Sequence, residues 1–109
     1  MEARPRRVEI YVRFDGKAPF TEWLDGLGDV KARAKIRVRI DRVSLGNVGD
    51  RSSVGEGVQE LRVDFGPGYR VYFAEVGKVV VLLLCGGDKS GQQRDIRNAK
   101  QYWKDYRSR

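Results

Sequence analysis

Seven consecutive apolar residues, Val79-Val-Val-Leu-Leu-Leu-Cys85, stand between Gly77 and the pair Gly86-Gly87. The run is far short of the ~20 residues a membrane-spanning helix requires. Its β-branched start and glycine flanks read as a strand. Strand side chains alternate between two faces, so a strand apolar at every position must be covered on both sides. Val79–Cys85 is therefore expected to be a central strand. With 109 residues, 34% of them charged, the chain has material for one domain built around it.

The remaining segments supply that cover. Val8–Phe14 is rich in β-formers and predicts a strand ended by Asp15-Gly16. Pro19 opens a helix, where its missing N–H costs nothing. Phe20, Trp23, Leu24 and Leu27 share one helical face; Trp23 reads as a core anchor, and Gly28 suits the stop. Residues 30–45 alternate apolar with mostly basic side chains, a period of two that by itself says strand. The length of the run, its Ala, Lys and Arg content and Asp29 as N-cap predict a helix instead. That helix would bury Ala32 or Val30, Ile36, Ile40 and Val43 and leave a basic exterior. Leu45–Gly57 reads as a loop rich in Gly and Ser.

Val58–Phe65 and Tyr69–Glu75 alternate cleanly and predict a hairpin through Gly66-Pro67-Gly68. Gly86-Gly87 is expected to end the apolar strand. Ser90 and Gln93 have the spacing of a capping box, and the helix behind them lines up Ile96, Ala99, Trp103 and Tyr106. The order β-α-α-β-β-β-α describes an α+β domain over residues 1–109.

Composition closes several chemical routes. The chain has no histidine, which removes His-based triads, Cys–His dyads and imidazole-ligated zinc. Cys85 is the single cysteine, so no intrachain disulfide forms; it reads as a buried structural thiol in a reducing compartment. The acidic residues form no metal-ligand pattern, and no cofactor is expected. Gly87-Asp88-Lys89-Ser90 misses the phosphate loop of nucleotide-binding enzymes, because Asp88 separates the glycine from the lysine. The first residues lead into no signal-peptide core, so a cytoplasmic protein without membrane attachment is expected. Lys and Arg number 22 against 15 Asp and Glu, a net charge of +7 that attracts polyanions.

The hairpin is where chemistry concentrates. Alternation sorts it into a core face (Leu61, Val63, Phe65, Tyr69, Val71, Phe73) and a polar face (Glu60, Arg62, Asp64, Arg70, Tyr72). Lys89 follows the apolar strand, and the start of the last helix adds Gln92, Arg94 and Asp95. A helix N-terminus beside cations favours anions, so Arg62, Arg70 and Lys89 could converge on a phosphate. The same residues also fit plain cross-strand pairing: across a three-residue loop Asp64 would oppose Arg70 and Arg62 would oppose Tyr72, each pair worth roughly 0.2–1 kcal/mol.

Three blocks then take on a further meaning. Gly57-Val-Gln-Glu-Leu-Arg-Val-Asp-Phe-Gly-Pro-Gly-Tyr-Arg-Val-Tyr-Phe, Leu83-Leu-Cys-Gly-Gly-Asp-Lys-Ser and Gln93-Arg-Asp-Ile-Arg-Asn-Ala, in this order and spacing, resemble the RelE/ParE superfamily of bacterial toxins. The nearest branch is HigB-like, often labelled addiction-module killer proteins; Pro19-Phe-Thr-Glu-Trp-Leu and Leu45-Gly-Asn-Val-Gly-Asp fit it as well. The resemblance covers nearly the whole chain. It implies a four-stranded sheet, antiparallel or mixed, packed with helices.

The resemblance further implies the toxin of a type II toxin–antitoxin pair. Many relatives enter the ribosome and cut mRNA without a metal, by attack of a ribose 2′-OH on the adjacent phosphate. Such a site needs a base, charge stabilisation at the phosphorane and an acid for the leaving 5′-oxygen. By position, Arg70 matches the arginine at the scissile phosphate, Lys89 a basic residue after the last strand, and Asp95 a catalytic position of the last helix. Arg62 lies on a strand that supplies basic residues, and Tyr72, Gln92 and Arg94 fall where substrate would be held, Tyr72 as a proton carrier or a base-stacking ring. Some relatives use histidines that this chain lacks, which leaves the base open among Glu60, Asp95, Lys89 and Tyr72. A non-nuclease toxin acting on gyrase and a non-catalytic nucleic-acid-binding module remain alternatives. The expected partners are the ribosome with its mRNA and an antitoxin carrying a helix-turn-helix DNA-binding domain.

Overall fold

The computed structural model describes residues 5–47 and 49–109. Its elements are β1 (Arg7–Ile10), α1 (Pro19–Asp25), α2 (Val30–Ser44), β2 (Arg51–Gly55), β3 (Val58–Val63), β4 (Tyr69–Val76), β5 (Val80–Asp88), a 3-10 turn (Lys89–Gly91) and α3 (Gln92–Arg107). The apolar run becomes β5, an interior strand of a mixed sheet ordered β1-β5-β4-β3-β2. β1 is parallel to β5, and the other neighbours are antiparallel. The domain is α+β, with a helical layer on each side of the sheet.

Both faces of β5 are covered, as a strand apolar throughout requires. Val81 and Leu83 join α1, α2 and the inner hairpin face in one core, which includes Phe20, Leu24, Ala32, Ile36 and Phe73. Leu82, Leu84 and Cys85 join Ala99 and Trp103 of α3 in the other. Two successive residues, Leu84 and Cys85, share a face because the β4–β5 register shifts between Tyr72 and Phe73.

α2 is the helix expected from its composition, with the Asp29 carboxylate accepting from the Ala32 N–H at 3.1 Å. It buries Ala32, Ile36 and Val43, while Val30 and Val38 stay exposed. α1 ends at Asp25, sooner than Gly28, because Gly26 already caps it. β1 is also shorter than expected: after Ile10 the Tyr11 N–H still bonds Leu83 O at 2.9 Å, and the chain then turns through Arg13–Lys17.

Three expectations are corrected. The sheet has five strands, not four, because part of the expected Leu45–Gly57 loop forms β2. Glu56 and Gly57, at φ 53° and 84°, make the two-residue turn that pairs Gly55 with Val58. Gly57 is also required by space, since a Cβ there would lie 2.7 Å from Trp103 Nε1. Second, Gly86-Gly87 does not end the apolar strand; β5 runs through both to Asp88. Third, the capping box at Ser90 and Gln93 does not form. Asp88 accepts from the backbone N–H and hydroxyl of Ser90, which shapes the 3-10 turn, and α3 starts at Gln92 without a side-chain cap.

Candidate functional site

The site grows from the polar face of the β3–β4 hairpin, which looks toward α3. The expected division of faces holds: Leu61, Val63, Tyr69, Val71 and Phe73 enter the α1/α2 core, with Phe65 packed against it. The register differs from the expected one. Asp64–Gly68 connects the strands, so Arg62 stands opposite Arg70 and Glu60 opposite Tyr72. Asp64 lies outside the ladder and exposed, and does not oppose Arg70. The offset from the three-residue-loop pairing is two residues, which preserves the face of every side chain.

Two arginines placed directly opposite repel one another. Glu60, only 1% exposed, answers that repulsion from the centre of the face. Its Oε1 lies 3.4 Å from Arg62 Nε and its Oε2 3.5 Å from Arg70 Nε. Oε2 also accepts from the Tyr72 hydroxyl at 3.1 Å and from the Gln92 amide at 2.9 Å. The Arg70 side chain is 11% exposed against 53% for Arg62. Arg70 is anchored by Nη1, which donates to Gly68 O at 2.9 Å, while its buried Nε makes no hydrogen bond. Burial, reinforced by the neighbouring Glu60 carboxylate, holds the Tyr72 hydroxyl well above the usual tyrosine range. Tyr72 has no exposed surface, so the base-stacking role expected of it is overturned; it serves as a fixed donor to Glu60.

The next cross-strand step brings in α3. Arg70 pairs with Gly87 of β5, and a Cβ at Gly87 would fall 1.9 Å from Asp95 Oδ2. The absent side chain is what lets the Asp95 carboxylate lie on the sheet one strand away from Arg70. Gly86 does the same on the opposite face, where a Cβ would lie 2.2 Å from Trp23 Cε3. Sequence reading missed both roles, although paired glycines within an apolar run are the mark of close approach. Burial raises Asp95 above the ordinary aspartate range, and the Arg94 guanidinium, 3.6 Å away, partly offsets this.

Lys89 is exposed at the end of β5. A Cβ built at Gly68 would lie 3.5 Å from Arg70 Nη1 and 3.8 Å from Lys89 Cβ, so both side chains border this glycine. Beyond it a cavity of about 490 Å³ at the start of α3 is lined by Lys89, Gln92, Arg94 and Arg97. The structure thus joins Glu60, Arg62, Arg70, Tyr72 and Gln92 in direct contact, seats Asp95 across Gly87 and sets Lys89 at the rim. Arg94 points outward beside Asp95. Arg97, which sequence reading passed over, completes the cationic rim, and its helical spacing of three from Arg94 is the signal.

The Cys85 thiol is pushed up to about 12 by burial and by Asp95, and it lies 3.6 Å from Asp95 O, a structural group as expected. Among the described residues no group of three or more His, Cys, Asp or Glu side chains could hold a metal ion, and no helix is long and apolar enough to cross a membrane.

Fold and site define a small basic α+β protein organised around an arginine pair held by a buried carboxylate. The chain is 53% identical over 81 residues to a protein of Haemophilus influenzae described as uncharacterized, a match covering 74% of this chain and 82% of that one. The two belong to one family. No protein-family model matches the chain.

Proposed function

We propose that this chain is the toxin of a type II toxin–antitoxin pair, of the RelE/ParE kind its motifs resemble, and that it cuts mRNA on the ribosome. The observation that carries the reading is the facing pair Arg62 and Arg70, held by one buried carboxylate, with a further cation, Lys89, at the rim. Fixed guanidinium groups suit a phosphate whose charge grows in the transition state. Arg70 and Arg62 stabilise the phosphorane that forms as the ribose 2′-oxygen bonds to phosphorus and that collapses to a 2′,3′-cyclic phosphate as the bond to the 5′-oxygen breaks. Asp95, its affinity for protons raised by burial, takes the 2′-OH proton. Lys89 delivers a proton to the leaving oxygen. Gln92 and Arg94 hold the flanking nucleotide, and Glu60 and Tyr72 position the arginines. The net charge of +7 favours the ribosome as the place of action, and the reading brings with it a cytoplasmic setting and an antitoxin partner.

Primer extension on mRNA from a translating extract tests this. The wild-type chain is expected to give in-frame cuts that require ribosomes, and Arg70→Ala to lose them. Arg70→Lys keeps the countercharge of Glu60 but not the planar fork, and covers the case in which the alanine variant unfolds. Intact mRNA from folded wild-type protein overturns the reading, and inhibited supercoiling in a parallel gyrase assay would move the target to gyrase.

A further inference from the structure

On the other side of Arg62 from the arginine pair lies a groove of about 570 Å³, bounded by α2 and by the end of β3 with its following loop. Its α2 wall combines two kinds of residue. Ala34 and Val38 are spaced by four, so they stack in one row that Val30 extends. Val38 is 50% exposed and Val30 67%. Lys31 and Lys35 run beside this row, and Arg42 closes it one turn beyond Val38. The facing wall adds Val63 and Phe65 as apolar floor and Arg62 at the lip. Lys35 Nζ sits 5.8 Å from the centre of the Phe65 ring, bridging the two walls. Asp50 and Asp64 are the acidic residues of the lining.

We propose that this groove receives an acidic amphipathic helix of a partner protein. Charge complementarity selects the sign of the occupant, since the cations of the lining outnumber its two carboxylates. The aliphatic row selects its class. A nucleic-acid strand would draw on the cations and on the single Phe65 ring, and would leave the aliphatic row of Ala34 and Val38 without a partner, because neither offers a ring for a base to stack on. A helix with apolar residues at i, i+3 and i+4 fills the row, and carboxylates on its flanks meet Lys31, Lys35 and Arg42. From Val30 to Arg42 the row runs roughly 18 Å at 1.5 Å per residue, which matches a partner helix of about twelve residues. Arg62 belongs to both groove and site, so an occupant shields one half of the arginine pair. The inference rests on the groove and not on RNA cleavage.

A library of random 14-residue peptides displayed on phage, panned against the full-length chain and re-sorted on Val38→Ser and on Lys35→Gln, tests it. Both positions are on the surface and outside the site described above. The peptides that depend on both residues are expected to be net negative with apolar residues at helical spacing. Synthesised with a fluorophore and followed by anisotropy, such a peptide is expected to lose about fivefold in affinity on Val38→Ser, for the half-buried side chain removed, and about two- to fivefold on Lys35→Gln. Failure to find any Val38-dependent peptide overturns the proposal, and so do Val38-dependent peptides without net negative charge. A twelve-residue oligouridine weakened by Lys35→Gln, with no peptide dependent on Val38, would make the groove a nucleic-acid track instead. None of these readouts involves cutting, so the groove stands or falls independently of a nuclease assay.

Discussion

Exchanging Glu60 for glutamine is the sharpest test of how the arginine pair is held. Glutamine keeps the volume and an acceptor for Tyr72 but removes the charge between Arg62 and Arg70. The Arg62 part is small: its side chain is 53% exposed, and exposed pairs are worth about 0–1 kcal/mol. The Arg70 part is larger, because that side chain is 11% exposed and its Nε makes no hydrogen bond. Breaking a buried pair by removing one partner costs about 3–5 kcal/mol. The 3.5 Å separation and the residual access to water place this pair at the low end of that range, so a total loss of about 3 kcal/mol is expected. At roughly 4–8 °C per kcal/mol for a domain near this size, Tm should fall by about 12–24 °C. Urea unfolding followed by circular dichroism, with an unchanged m value, gives the free energy directly. Arg70→Gln and the double variant complete a cycle, in which the double variant should lose at least about 1 kcal/mol less than the sum of the single ones. A loss below about 1 kcal/mol for Glu60→Gln, or strict additivity, refutes the argument that Glu60 neutralises the pair.

Gly86→Ala and Gly87→Ala each force a Cβ into contact, against Trp23 and Asp95 respectively, and each is expected to cost about 1–3 kcal/mol in urea unfolding; under the proposed chemistry Gly87→Ala alone should also depress mRNA cutting, because it displaces Asp95. Burial raises the folded-state pKa of Asp95 above the unfolded value of 3.8, so the folded chain holds that proton more tightly and loses stability as pH rises from there through the folded value. Asp95→Asn should therefore gain on the wild type as pH rises across that window and level off above it, and a stability difference that instead grows on acidification, measured in parallel urea titrations, would contradict the assignment. The Cys85 thiol, pushed up to about 12 and buried, should react with an aromatic disulfide reagent only as fast as the chain unfolds, so reaction at the rate of a free thiol in native buffer would be the contrary result.

The elements with a strong hydrophobic period were legible in the sequence, and those defined by turn chemistry were not. β5 and its two covers follow from one apolar run. β2 does not, because Arg51-Ser-Ser-Val-Gly55 is mostly exposed and has no period of its own; what makes it a strand is the Glu56-Gly57 turn, which returns the chain alongside β3. Gly86 and Gly87 misled for a related reason. Glycine ends strands and also permits close approach, and only the positions of Trp23 and Asp95 decide between the two. In α2 the period of two had a different source. Ala32, Ile36 and Ile40 form the core row and Val30, Ala34 and Val38 the groove row, each spaced by four and offset by two. Two helical rows so offset sum to an alternation that imitates a strand.

The candidate site was legible in its membership but not in its roles, and the hairpin shows why. Face assignment in a strand depends only on whether a residue number is odd or even. The loop proved two residues longer than the pairing assumed, and a two-residue error leaves that parity intact: Glu60, Arg62, Arg70 and Tyr72 still share a face. A one-residue error would have sent the whole set into the α1/α2 core. Roles depend on depth, which parity does not encode. Glu60 and Tyr72 lie nearest the middle of β3 and β4 under Gln92, so they are sealed, whereas Arg62 lies near the hairpin end and opens to solvent. A carboxylate sealed at 1% exposure beneath two guanidinium groups is suited to hold them, whereas Asp95, set against Gly87 and raised by burial, is the carboxylate to which the proposed function assigns the proton.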